Sequence, residues 1–243
     1  MNIGIIPARL NSKRLPNKIL LDILGKPMIV HVMEQALKAT KIDKVILGVD
    51  SEETINKLSN YDFEIIMTSD QHISGTDRVN EVAKKFPDAE IIINIQGDEP
   101  LLEPKMIDDL VEVMENPDVK MATVLSNKLT VSDLLNPNVV KAIMDESHNV
   151  VEFKRNVFDL EIGGVYKHIG MYGFKPQILN HFTSLEVSKK EAERNLEQMR
   201  ALDNNIPIKA MITSYDTISV DTQDDLDCVI KILGDENINR SGV

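Results

Sequence analysis

Arg9, Lys13, Arg14 and Lys18 crowd into the stretch IPARLNSKRLPNK, directly behind an apolar run that stops at Pro7. A guanidinium offers phosphate oxygens a planar fork and an ammonium a compact point charge, so Arg9, Arg14 and Lys18 suit a polyanion. The plainer reading is a solvated basic loop. In INIQGDEP, residues 93–100, Asp98 and Glu99 end an apolar strand. A carboxylate there suits Mg²⁺, which prefers oxygen ligands and phosphate co-ligands; an ordinary turn acid is the alternative. In SVDTQDDL, residues 219–226, Asp221 precedes the last helix, either as its N-cap or as a second metal carboxylate opposite Asp98. In TSDQHISGTDR, residues 68–78, Ser74-Gly75-Thr76 opens a helix. Its first N–H groups can meet a ligand carbonyl or phosphate, with Arg78 nearby; capping by Ser74 or Thr76 is the simpler reading. Arg155, His168 and Gln198 together make a polar pocket for an acidic, hydroxyl-rich molecule, although each alone reads as a surface residue. Neither G-x-G-x-x-G nor G-x-x-x-x-G-K-[ST] occurs in the chain, so two standard phosphate cradles are missing.

These groups need elements to hold them. IGIIP, KVILGVD, FEIIMTS and EIIINIQ read as apolar strands. KPMIVHVMEQALKA, TDRVNEVAKKF and PKMIDDLVEVMEN carry helical spacing, with Met28, Ile29, Val32, Met33, Ala36 and Leu37 on one face of the first. Ile107, Leu110, Val111 and Met114 line the last of them. The alternation predicts an α/β fold, a doubly wound and mostly parallel sheet covered on both faces. Ligands then bind beyond the carboxyl ends of the strands. MATVLSN, VVKAIMD, NVVEFKR and KHIGMYGF read as strands with few helices between them. They predict a smaller mixed-sheet lobe, about 121–174, inserted in one domain that spans 1–243. EAERNLEQMRAL reads as one helix, IKAMI as a strand and DTQDDLDCVIKIL as the last helix, with Cys228 as a buried thiol.

Composition narrows the classes. Lys plus Arg is 27 against 39 for Asp plus Glu, a formal net charge of −12 over 243 residues, and an acidic body repels nucleic acid and anionic lipid. Aromatic residues are 4% and Trp is absent, which argues against a base-stacking platform. The single cysteine excludes an internal disulfide and a cysteine metal cluster. With no apolar run of membrane-spanning length and no secretory signal pattern, the expected location is the cytoplasm, without membrane insertion.

Taken in order, IPARLNSKRLPNK, GKPMIVHV, MTSDQHISGTDR, NIQGDEP, HIGMYGF, LEQMRAL and VDTQDDL resemble the signatures of the 3-deoxy-manno-octulosonate (Kdo) cytidylyltransferases, the CMP-Kdo synthetases. The resemblance runs from residue 3 to about residue 233. It implies a nucleotidyltransferase that couples CTP to the acidic sugar Kdo and releases pyrophosphate, for lipopolysaccharide or capsule synthesis. It also implies a fold of the nucleotide-diphospho-sugar transferase type, whose lobe binds sugar and pairs two subunits into a homodimer. It places Pro7, Ala8, Arg9, Arg14, Lys18, Ser74, Gly75 and Arg78 at CTP, and Mg²⁺ on Asp98 and Asp221. Arg9, Arg14, Lys18, Asp98 and Asp221 are then the catalytic set, and Gln96, Arg155, His168, Glu197 and Gln198 line the sugar site. Two places depart from the family pattern. LPNKI stands where the family has Leu-Pro-Gly-Lys-Pro, which spares Lys18. VEFKRNVFDLEIGG has Lys154 in place of a serine and lacks an Ile-Pro, which changes the wall near Arg155. A related 3-deoxy-ulosonate, such as an amino-substituted one, or another sugar acid is the alternative substrate. A nucleotide-binding regulatory protein without catalysis is the rival from another class, and it has no need of carboxylates at positions 98 and 221.

Overall fold

The apolar runs of the first half can face water on neither side, and they become the middle of a sheet. In the computed structural model, which describes residues 1–12, 15–157 and 164–241, strand β1 (Asn2–Ala8) leads through the basic loop to a single 3₁₀ turn (Lys18–Leu20). A small hairpin of β2 (Asp22–Ile23) and β3 (Lys26–Pro27) then feeds helix α1 (Met28–Ala36). Strands and helices alternate next: β4 (Lys44–Val49), α2 (Glu52–Lys57), β5 (Glu64–Met67), α3 (Gly75–Ala83), β6 (Ile91–Asn94), α4 (Pro104–Glu115) and β7 (Met121–Ser126). The chain continues through α5 (Val131–Leu135), β8 (Lys141–Met144), β9 (Val150–Lys154), β10 (Val165–Phe174) and α6 (Pro176–Ser184). It closes with α7 (Lys189–Arg194), α8 (Met199–Asp203), β11 (Lys209–Thr213) and α9 (Gln223–Ser241).

The main sheet has the order β11-β7-β10-β6-β1-β4-β5. β1 pairs in parallel with β4 and β6, and β4 with β5. β7 runs parallel to β11, while β10 lies antiparallel between β6 and β7. Successive residues of β1 face opposite sides. Ile6 packs with Ile29, Met33 and Ile107 from α1 and α4, while Ile3 and Ile5 pack with Val79, Val82 and Phe182 from α3 and α6. The predicted doubly wound, mostly parallel sheet is therefore the fold. A third, smaller core joins the two ends of the chain: Ile23 and Met28 pack with Val220, Leu226 and Val229, and Leu15 and Leu21 lean on them.

Four expectations change. The stretch 121–174 is not set apart as one lobe. β7 is buried along its whole length within the main sheet, and the later half of β10 pairs with both β6 and β7. Only the start of β10, β8 and β9 form a side extension, in which β8 pairs with β10 and β9 with β8. A fully apolar strand gives no periodic clue to which neighbours it joins, and a bulge between Ile169 and Tyr172 lets β10 serve both regions. EAERNLEQMRAL is two short helices, because Asn195 takes the left-handed conformation (φ 52°) and ends α7. Leu37 caps α1 and is exposed. Cys228 is exposed too, since α9 buries Leu226, two residues before it, and Val229, one residue after it.

Candidate active site

Asp98 follows β6, Asp221 precedes α9, and Lys18 opens the 3₁₀ turn behind the basic loop. The three meet. Lys18 Nζ donates to Asp98 Oδ2 at 2.6 Å and to Asp221 Oδ1 at 3.1 Å. The backbone holds the two acids together, because Val220 N donates to Asp98 O at 2.9 Å. The cap of α9 is Thr222 rather than Asp221: its hydroxyl donates to Asp225 Oδ2 at 2.8 Å and accepts from Asp225 N at 3.3 Å. The Asp221 carboxylate is thereby left to face Lys18. Burial alone would lower the ammonium's pKa, but charge and hydrogen bonds from Asp98 and then Asp221 outweigh it and raise it. Among the described residues no group of three or more His, Cys, Asp or Glu forms a cage for a metal. Two converging carboxylates are instead the arrangement that suits Mg²⁺ completed by substrate phosphates and water.

On one side of these acids lies a cleft of about 510 Å³, bordered by Pro7, Arg9, Lys18, Ser74, Gly75 and Arg78. α3 starts close against the end of β1: a Cβ at Gly75 would meet Pro7 Cγ at 3.3 Å, and one at Gly97 would meet Pro7 O at 3.2 Å. Glycine at both places lets the strand end, the helix start and the acid-bearing turn converge. Ser74 caps α3 in a reciprocal box with Asp77, which is the simpler of the two readings of that serine, and the helix start still borders the cleft. Arg9 is exposed beside it. Ala8 turns its methyl into the main core. Arg14 lies outside the described residues. Arg78 is buried, and its guanidinium donates to Thr68 Oγ1 and, at 3.1 Å, to Asp50 Oδ2. Asp50 Oδ1 in turn accepts from Leu10 N at 2.9 Å. Arg78 thus reaches the basic loop through Asp50, which as a sequence reads as the opening of a short helix and not as part of the site. Its signal was its place directly after β4, beside the end of β1.

On the other side is a cleft of about 730 Å³ that shares Gly75, Gln96, Asp98 and Asp221 with the first. It brings together the predicted sugar-site residues Gln96, Arg155, His168, Glu197 and Gln198. Gln96 Nε2 donates to Gly170 O at 2.8 Å. Thr123 gives its single hydroxyl proton to Met171 O at 2.9 Å, so His168 Nε2, 3.0 Å away, is the donor to Thr123, and Nδ1 is left an acceptor. Burial lowers the His168 pKa to about 3, and the ring is neutral, edge-on to Phe153 at 5.0 Å. Glu197 Oε2 accepts from Thr76 Oγ1 at 2.7 Å, while Oε1 is buried without a hydrogen-bond partner among the described residues. Burial raises this carboxyl's pKa against the pull of the Thr76 bond. Gln198 is buried at the same wall. Arg155 is engaged differently from its expected role. Its guanidinium donates to Arg194 O at 3.3 Å, Pro137 O at 3.1 Å and Asn195 O at 3.1 Å. Glu99, quoted with Asp98 but given no role, also borders this cleft. Burial and then the Asp98 charge push its carboxyl up to about 8.

Comparison with known proteins agrees with this geometry. The sequence model described as "Cytidylyltransferase" matches residues 3–210. The chain is 38% identical to the 3-deoxy-manno-octulosonate cytidylyltransferase of Thermodesulfovibrio yellowstonii, over 96% of this chain and 98% of that one. It is 39% identical to the enzyme of the same name from Fusobacterium nucleatum, over 97% and 98% of the two chains. The solved structure of a CMP:2-keto-3-deoxy-manno-octonic acid synthetase complexed with CTP superposes with a TM-score of 0.90 at 32% identity, covering 97% of this chain and 100% of that one. With two acids and a cation at the carboxyl ends of a doubly wound sheet, and with these relatives along nearly its whole length, the chain belongs to the 3-deoxy-manno-octulosonate cytidylyltransferase family of nucleotidyltransferases.

Proposed function

We propose that the protein transfers the cytidylyl group of CTP to the anomeric hydroxyl of Kdo, giving CMP-Kdo and pyrophosphate. The observation that carries this reading is the shared wall of the two clefts. Asp98 and Asp221 border both, so a triphosphate on one side and a sugar acid on the other would meet at those carboxylates. The name of the CTP-bound structural relative supports the nucleotide, and the names of the sequence relatives support the sugar.

Asp98 and Asp221 would hold Mg²⁺. That ion, when bound, supplies Lewis-acid neutralisation of phosphate charge. The chain's own part is alignment and electrostatics, which dominate phosphoryl-transfer catalysis. Arg9, Arg14 and Lys18 would take up charge growing on the leaving pyrophosphate. Ser74, Gly75 and Arg78 would border the nucleotide, with Pro7 and Ala8 beneath it as backbone. Gln96, His168, Glu197 and Gln198 would orient the sugar hydroxyls. His168 stays neutral there and offers Nδ1 as an acceptor.

Two further readings accompany the reaction. A homodimer formed through the side extension is supported by β9, which pairs only with β8 among the described strands, and by exposed Val131, Leu135 and Val151 in that region. A cytoplasmic location is supported by the nucleotide substrate, and no helix among the described residues is long and apolar enough to cross a membrane.

A pyrophosphate-release assay run over the four nucleoside triphosphates and a panel of 3-deoxy-ulosonates, amino-substituted ones included, tests the proposal. Release with CTP and Kdo supports it. A preference for an amino-substituted ulosonate would move the substrate, and CTP binding without release across the panel would favour the regulatory rival.

A further inference from the structure

Among the described residues, Lys18 brings its ammonium between the two acids that are read as metal ligands. Its ammonium lies 2.6 Å from Asp98 Oδ2 and 3.1 Å from Asp221 Oδ1, and its side chain is only 13% exposed. The 3₁₀ turn that carries it is fixed from behind: Lys18 N donates to Leu15 O at 3.2 Å, and Leu20 N to Asn17 O at 2.8 Å. Ile19 is buried in the main core, and Leu15 and Leu21 pack on the small core that also holds Val220. The stem of Lys18 is therefore aimed at the acids by the fold. Two carboxylates tied together by the Val220–Asp98 backbone bond repel one another, and a positive charge between them relieves that repulsion.

We propose that Lys18 is an internal placeholder for the divalent ion, so that metal entry is coupled to nucleotide binding. This rests on the reading of Asp98 and Asp221 as metal ligands and adds the order in which the site assembles. An ion bound to these carboxylate oxygens at about 2.0–2.1 Å cannot share their midpoint with an ammonium, because the space and the sign of the charge both forbid it. A triphosphate gives Nζ another anion to hold, within reach of the same flexible stem, since Lys18 borders the nucleotide cleft. The nucleotide would draw the ammonium to its phosphates, and the ion would take its place between the acids. The protein alone would thus resist a divalent ion, and the protein with CTP would take one up. The same swap delays the assembly of a charged metal centre until there is a phosphate for it to act on.

The test uses Mn²⁺ as the probe and binding as the readout, followed by titration calorimetry and by loss of the free-ion electron paramagnetic resonance signal, on the full chain without nucleotide and, as a second arm, with CTP. Lys18→Met keeps the stem and removes the charge, and it should bind Mn²⁺ at least tenfold more tightly than the unaltered protein. Lys18→Arg should stay as weak as the unaltered protein, since it keeps a cation in place. Asp98→Asn added to Lys18→Met should abolish the gain. Should Lys18→Met not fold, Lys18→Gln carries the same comparison. If the unaltered protein binds Mn²⁺ as tightly as Lys18→Met and loses it in Asp98→Asn, the placeholder idea is overturned while the metal-ligand reading stands. If no variant binds Mn²⁺, with or without CTP, the metal-ligand reading has failed and the placeholder fails with it.

Discussion

Asp98 and Asp221 share a single ammonium although Lys18 is 80 residues from one and 203 from the other. Their roles differ from those of the buried groups around them, and substitution separates the two. Asp98→Asn should lower turnover on the order of 10²–10³-fold or more, because a preorganised charge at the reacting phosphate is removed. A circular-dichroism melt should stay cooperative, since Lys18 keeps Asp221. Full activity in this variant would end the ligand assignment. His168 and Glu99 should instead show themselves in stability. The unfolded chain protonates His168 below its ordinary value of 6.5, whereas the folded chain holds out to about 3, so stability falls as pH drops through that window. Unfolded Glu99 ionises above 4.5, whereas folded Glu99 keeps its proton to about 8, so stability falls as pH rises through that one. Each slope is at most about 1.4 kcal/mol per pH unit. They oppose one another between 4.5 and 6.5, so a plateau there, with a loss on either side, is the expected profile in denaturant titrations. His168→Gln should flatten the acid limb and Glu99→Gln the alkaline limb. At this scale the sequence was informative where chemistry and spacing agree, as for Lys18, Asp98 and Asp221. It did not show the proton held by Glu99 or the Arg78 pairing of Asp50, which depend on burial and on a neighbour brought in from another element.

The turn between α7 and α8 shows what elements add. Read locally, EAERNLEQMRAL favours one continuous helix, and the structure breaks it at Asn195. Glu197 leaves the helical path to take the Thr76 hydroxyl, so a contact with α3 overrides propensity. Arg155 ties the end of β9 to three carbonyls, two of them in this turn. Behind it, Arg200 donates to Glu191 at 2.8 and 2.6 Å and holds α8 against α7. Arg155 is then a positioning residue for Glu197 and Gln198. Arg155→Ala should raise the sugar KM roughly tenfold, about 1.4 kcal/mol, close to the lower end of what a hydrogen bond from a charged group contributes, and leave the CTP KM within about twofold. Arg155→Lys should not rescue it, because one ammonium cannot reproduce a planar fork that meets three carbonyls. An arginine that gripped the sugar carboxylate directly would be partly rescued by lysine. Strand and helix positions were legible because their apolar periods are local. The break, the partners of Arg155 and the outward face of Cys228 were not, because each is decided by a contact distant in sequence.

Across the whole molecule, two large cores on opposite faces of the sheet carry the fold, and the third core, Ile23 and Met28 with Val220, Leu226 and Val229, carries the site. Leu226→Ala should cost about 2–5 kcal/mol if that small core is as well packed as a large one. Its activity should fall further than its melting temperature predicts, since Asp221 moves with α9; a drop in activity that merely tracks the unfolded fraction would argue against that coupling. The alternation that announced a doubly wound sheet says nothing about this core, which joins residues from the opening loop to the final helix. That union has a consequence in time. During synthesis every strand of the main sheet except β11 is made well before Asp221, and closing so long a loop is slow relative to local folding. A nascent chain can hold its cations, its first acid and most of its sheet and still lack a working centre. Competence is then expected only once the last helix docks on the hairpin made at the beginning.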